Sequence, residues 1–179
     1  MLTSLDGYVN DADGGFEWAT PDEKLHTYIN SVSRSVGTCL LGRRMYKTMV
    51  FWEDPQSVRG EPPVMVEYAE IWQGDDKVVY STTLAEVASE RTRIERSFEP
   101  DAVRALKSAT ELNLSIDGPT LAAHALRAGL VDELHVYVCP VAVGGGTAFY
   151  PAGVRLDLEL LEERALGNGV LSLRYAVSA

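Results

Sequence analysis

Basic charge is scarce in this chain. Its 179 residues carry 16 lysines and arginines against 26 aspartates and glutamates, a net charge of −10. That balance argues against nucleic acid or an anionic membrane as partner, because the overall field repels both. Cysteine is scarcer still: Cys39 and Cys139 fall inside apolar, strand-like runs and read as buried free thiols, which removes the disulfide framework of a small secreted domain. His26, His124 and His135 show no metal-ligand spacing with one another or with the cysteines, so no metal site is expected. No apolar run approaches the roughly 20 residues of a membrane span. The opening MLTSLDGYVN lacks the basic region and apolar core of a signal peptide, so the cytoplasm is the expected compartment. The dinucleotide fingerprint G-x-G-x-x-G is also missing, which disfavours a Rossmann dehydrogenase; GGGTAFY, from Gly144, opens no helix and is no substitute.

What is present suits an ordinary globular protein. Hydrophobic residues make up 46% of the chain. The length suits one domain over residues 1–179, burying on the order of 70% of the surface its unfolded form exposes. Short β-rich runs alternate with helical patterns, the mark of an α/β sheet with crossover helices. Met1 to Leu5 reads as a first, short strand. Pro21 opens an amphipathic helix with Leu25, Tyr28, Ile29 and Val32 on one face. GTCLLG reads as a buried strand that runs at once into a helix beginning at Arg43. Pro62 and Pro63 prime a helix through Trp72, DKVVYSTT is the next strand, LAEVASE a short helix, TRIER a brief strand, and Pro100 starts another helix. Leu112, Leu114 and Ile116 alternate before a helix over 119–128 and the strand ELHVYV, which together read as a βαβ unit. Asn168-Gly169 between strand patterns predicts a closing antiparallel hairpin.

Three strand-to-helix junctions carry small, hydroxylic or cationic residues: LLGRRMY, VVYSTT and LSIDGPTL. Ligands of open α/β sheets bind outside the carboxyl ends of strands, so such junctions can share one crevice. Two cations at a helix start oppose the macrodipole by roughly 0.3–1 kcal/mol each. A bound phosphate would offset that cost, since a guanidinium fork matches phosphate oxygens; a merely solvated face is the plainer reading. Gly118-Pro119-Thr120 leaves backbone N–H groups aimed outward at a helix start, suited to a pyrophosphate or simply a tight turn. Ser81 and Thr82 offer hydroxyls to a phosphate or caps to a helix.

SLDGYV, LLGRRMY, VVYSTT and above all DGPTLAAHALRAGLVDELHVYVCPVAVGGGTAFYP resemble the family that joins dihydrofolate reductase to the C-terminal reductase domain of the riboflavin-biosynthesis deaminase-reductase. The likeness spans nearly the whole chain, in order. It implies a dihydrofolate reductase-like three-layer α/β fold, with a mostly parallel central sheet, an antiparallel C-terminal hairpin and flanking helices. It implies NADPH as cofactor, with Gly42, Arg43 and Arg44 beside the adenosine ribose phosphate and Ser81 and Thr82 near it. Gly118, Pro119, Thr120 and Leu121 would then hold the pyrophosphate and adjoining ribose, and the arginines would favour NADPH over NADH. The chain departs from the family in three places. Members usually carry several more residues before SLDG. Asp117 stands where a glycine is common. Tyr8 stands where the riboflavin branch has a Lys or Arg for a phosphorylated substrate.

The implied chemistry is hydride transfer to a C=N or C=O bond of a small, heterocyclic, pterin- or pyrimidine-like substrate. A carboxyl that supplies the proton needs a raised pKa. FEWATPDEKLHTY resembles the dihydrofolate reductase stretch with Trp, Pro and the pterin-binding acid; counting from Trp18 through Pro21 gives Glu23, with Asp22 one residue off. An acidic first helix turn, where the dipole favours a carboxylate, is the stronger reading of Glu23. Asp6 lies on the nicotinamide side by family likeness, or is a turn residue. Tyr8, Trp18 and Trp52 are candidates to line the pocket of a flat substrate. The readings are an NADPH-dependent reductase, a true dihydrofolate reductase, or a non-catalytic NADP(H)-binding protein. Long apolar strands near the C-terminus and the family likeness both point to a homodimer.

Overall fold

A computed structural model describes residues 1–178 as an α/β protein. The chain divides into two compact units, one of residues 1–25 with 123–179, the other of residues 26–122.

The unit of residues 26–122 holds a parallel sheet in the order β4 (Thr92–Glu95), β3 (Asp76–Tyr80), β2 (Val36–Gly42), β5 (Asn113–Asp117). Parallel strands need crossovers. α2 (Arg43–Met49) and α3 (Pro63–Gly74) lie between β2 and β3, and α4 (Pro100–Ser108) between β4 and β5. Val78 and Val79 are consecutive, so they point to opposite faces, and both are fully buried; the sheet is covered on both sides, as its near-continuous apolar strands require. Cys39, Leu41, Tyr46, Trp72 and Val79 form one core cluster. Lys77 is also fully buried. Its ammonium donates to the carbonyls of Trp72 at 2.8 Å and Asp75 at 2.9 Å, satisfying acceptors that the end of α3 leaves open.

LAEVASE does not form the expected helix. Its backbone groups go to side chains instead. Leu84 N–H bonds to Ser81 Oγ, Leu84 O accepts from Arg96 Nη1, and Ala88 N–H donates to Tyr46 Oη at 2.8 Å.

The other unit holds the sheet β1 (Leu2–Ser4), β6 (Glu133–Cys139), β8 (Leu171–Ser178), β7 (Asp157–Ala165). β1 runs parallel to β6, while β6–β8 and β8–β7 are antiparallel, so the predicted C-terminal hairpin is there, turning at Asn168 (φ 53°) and Gly169 (φ 75°). The expected βαβ unit differs in one respect: after α5 (Pro119–Arg127), β6 takes β1 as its parallel neighbour rather than β5. Alternation shows that a strand exists but not which strand it pairs with. Leu134 and Val136 of β6 pack with Leu126, Phe149, Tyr175 and Val177.

The glycine run has a packing role. The N-terminal loop and residues 141–149 are zipped together by Leu5 N–H to Val141 O at 2.7 Å, Val9 N–H to Thr147 O at 2.9 Å and Phe149 N–H to Gly7 O at 2.9 Å. At Gly146, φ +132°, a Cβ would overlap the Asn10 carbonyl, so only glycine fits.

Candidate functional site

Sheet order and parallel sense bring the carboxyl ends of β3, β2 and β5 side by side. β2 delivers Gly42, Arg43 and Arg44; β3 delivers Ser81 and Thr82; β5 delivers Gly118, Pro119, Thr120 and Leu121. Nine of the residues singled out from sequence therefore share one edge of one sheet, within one unit. Two of the turns touch. A Cβ on Gly42 would lie 3.8 Å from Leu121 Cβ, and one on Gly118 3.5 Å from Met45 Cβ.

The polar groups at this edge are partly committed. Arg43 Nη1 donates to Thr83 Oγ1 at 2.7 Å, tying the β2 and β3 turns together. Arg44 is exposed and has no side-chain partner among the described residues. Ser81 is buried, and its Oγ accepts from Leu84 N–H at 3.0 Å and Thr83 N–H at 3.3 Å, so it shapes the turn, while Thr82 is exposed. The first hydrogen bond at the start of α5 runs from Ala122 N–H to Gly118 O, which leaves the N–H groups of Thr120 and Leu121 without intrahelical partners. Gly118 has φ +97°, a conformation a side chain would strain. Asp117 turns back along β5, where its Oδ2 accepts from Ser115 Oγ at 3.0 Å.

Sequence reading missed Arg96. It follows β4 directly, and its Nη1 donates to Ser81 O at 2.9 Å and Leu84 O at 2.6 Å, adding a third guanidinium at the same sheet edge. Its signal was a cation just past the TRIE strand, the pattern already noted at Arg43.

In the unit of residues 1–25 and 123–179, Asp6 is a loop clamp. Its carboxylate accepts from Ser4 Oγ at 2.6 Å, Gly144 N–H at 2.7 Å and Val143 N–H at 3.1 Å. The Ser4 hydroxyl first, then the Gly144 amide, hold this carboxyl below the usual range. These bonds favour the ionised carboxylate, whereas a proton donor would have to hold its proton. Tyr8 is pinned near this clamp, its N–H on Ser4 Oγ at 2.9 Å and its backbone bridged to Ala148.

The same unit contains a cavity of about 170 Å³, with Trp18, Asp22, Leu25, Cys139 and Asn168 in its wall. Asp22 lines it; Glu23 does not, and is exposed on the first turn of α1 (Glu23–Ser33). Of the two carboxyls that counting along the sequence offered, Asp22 is the one in the cavity wall. Asp22 caps α1 through Leu25 N–H to Oδ1 at 2.8 Å, and its signal was an Asp directly before a helix start. Trp52 belongs to the other unit, where it packs on Phe51, Tyr68 and His26 with ring centroids 5.1, 4.9 and 5.8 Å away.

The chain is similar to known proteins in sequence and fold. The YyaP protein of Bacillus subtilis is 22% identical over 178 residues, 98% of this chain and 91% of that one. A putative riboflavin biosynthesis protein from Shewanella has the same fold, with a TM-score of 0.77 at 19% identity over 100% of this chain and 97% of that one. A pyrimidine reductase-like protein from Corynebacterium diphtheriae gives 0.72 at 15% identity, over 99% and 90% of the two chains. The family model of the RibD C-terminal domain matches residues 1–172, through both units and every junction described above. The chain belongs to the RibD C-terminal domain family.

Proposed function

We propose that the protein is an NADPH-dependent reductase of a small, pyrimidine-type substrate. The family membership and the likeness to a pyrimidine reductase-like protein support a reductase. The observation that carries the cofactor is the gathering of Arg43, Arg44 and Arg96 at one sheet edge of a chain whose net charge is −10.

The residues at that edge fit such a group. Arg44 has its whole guanidinium to offer, Thr82 a hydroxyl, and Thr120 and Leu121 two backbone N–H donors beside a glycine without a side chain. These are the donors that a molecule carrying a phosphate monoester and a pyrophosphate demands. When bound, the reduced nicotinamide supplies a hydride to a C=N or C=O carbon. The chain's own part is to neutralise the phosphates and hold the ligand at the strand ends. Asp117, turned onto Ser115, keeps its charge away from that edge.

The reading places the protein in the cytoplasm, in keeping with two free, buried thiols. It also makes the protein a homodimer. β7 is an edge strand, and Leu158, Leu160 and Leu171 are 36%, 46% and 46% exposed, an apolar area that a second copy would cover.

The test is NADPH oxidation, followed by loss of nicotinamide absorbance, with pyrimidine, pterin and simple carbonyl substrates. Turnover of a pyrimidine supports the reading. Preference for dihydrofolate would instead make the chain a dihydrofolate reductase, and NADPH binding without turnover of any substrate would make it a non-catalytic binder.

A further inference from the structure

We infer that the Tyr46 hydroxyl is a positioning residue for the cofactor's phosphate monoester: it fastens the strap of residues 81–91 to α2 and so holds Thr82 and Thr83 at the arginine edge. The inference rests on the NADPH reading of that edge and adds to it a residue that acts through the strap.

The strap joins β3 to β4 with neither helix nor strand. Its ends are pinned to the sheet, Ser81 N–H donating to Glu95 O at 2.9 Å and Lys77 N–H donating to Arg91 O at 2.8 Å. Arg96 Nη1 holds Ser81 O and Leu84 O near the first end, and Glu53 Oε1 accepts from Glu90 N–H at 2.8 Å near the second. In the middle, Ala88 N–H donates to Tyr46 Oη at 2.8 Å, and Ser89 Oγ is hydrogen-bonded to the same oxygen at 2.9 Å. Ser89 Oγ pairs in turn with Thr92 Oγ1 at 2.7 Å, so a run of hydroxyls leads from α2 across the strap to the start of β4.

The phenol is built into place. Tyr46 is 3% exposed, and Leu84 and Val87 of the strap pack on the core cluster to which it belongs. A ring needed for packing alone would serve as phenylalanine; a buried hydroxyl needs partners, and this one finds an amide and a hydroxyl on the strap. Arg43 and Tyr46 are three residues apart and share one face of α2. That face grips the strap twice, through Arg43 Nη1 to Thr83 Oγ1 at 2.7 Å and through Tyr46 to Ala88 and Ser89.

A strap loose at Tyr46 leaves Thr82 and Thr83 without a fixed place, and a phosphate monoester must then order them as it binds. Apparent affinity falls by the fraction of time the strap is in register. The pyrophosphate donors, the N–H groups of Thr120 and Leu121, belong to the start of α5 and do not depend on the strap. The phosphate that distinguishes NADPH from NADH is therefore the group that senses Tyr46.

Tyr46→Phe keeps the ring and removes the oxygen. Ala88 is exposed, so its freed N–H turns to water, and the melting temperature should stay within about 2–4 °C of wild type. Titration of the full chain by nicotinamide fluorescence is expected to show NADPH bound about tenfold more weakly and NADH bound as before. Amide exchange at Ala88 should quicken. Ser89→Ala, which leaves the core intact, should move the ratio of NADPH to NADH affinity in the same direction. An unchanged ratio in either variant, or equal weakening of both cofactors, would overturn the inference and leave the reductase reading in place. A wild-type protein that binds the two cofactors equally would instead remove the phosphate reading, and this inference with it.

Discussion

Asp75 shows how burial sets the behaviour of a single residue. It follows α3, accepts from Cys39 Sγ at 3.6 Å, and lends its backbone carbonyl to the buried Lys77. Desolvation outweighs the nearby cations and pushes its carboxyl from 3.8 up to about 6. The folded state therefore holds this proton more tightly than the unfolded state. The stability it contributes is complete below about pH 4 and is lost as the pH rises through about 6. Asp75→Asn should flatten the stability profile between those values and make the variant more stable than the parent at neutral pH. Urea unfolding of both proteins at matched pH checks this; parallel profiles would contradict it. The same desolvation drives the Cys39 thiol up to about 12, so Cys39 is inert rather than reactive.

At the scale of elements, the turn between β5 and α5 joins backbone conformation to binding. Gly118→Ala places a Cβ at φ +97°, and left-handed backbone costs a non-glycine residue about 1–2 kcal/mol. Stability should fall by about that amount, with an unchanged urea m-value, and NADPH affinity should fall with it. A fully stable variant would mean that the turn relaxes freely. This junction was legible in the sequence because its signals are local: alternating Leu114 and Ile116, a glycine, then a proline at a helix start. The hairpin at Asn168-Gly169 was legible for the same reason. What failed to show was what distant partners decide. LAEVASE has a helical composition, but Tyr46 and Arg96 capture its backbone groups. The amide donors on the Asp6 carboxylate come from residues 143 and 144, far along the chain, where no local signal points. Residue counting likewise cannot tell the cap of α1 at Asp22 from its first exposed turn at Glu23.

At the scale of the whole molecule, acidity and apolarity are unevenly distributed. Leu5, Tyr150 and Leu160 are 70%, 42% and 46% exposed in the unit that carries the antiparallel hairpin. A homodimer that buries this surface should elute at twice the monomer mass in light scattering, and Leu158→Glu with Leu160→Glu should convert it to a folded monomer. A wild-type monomer at high concentration would refute the dimer. The arginines gathered at the other unit's sheet edge bear on the central claim. Its most direct test is a titration with NADPH and with NADH, followed by nicotinamide fluorescence at two salt concentrations, of the wild type and of an Arg43→Ala, Arg44→Ala variant. The account predicts tighter binding of NADPH, weakened by salt, and a preference over NADH that collapses in the variant. Equal affinity for the two cofactors, or a preference that survives loss of both arginines, would contradict it.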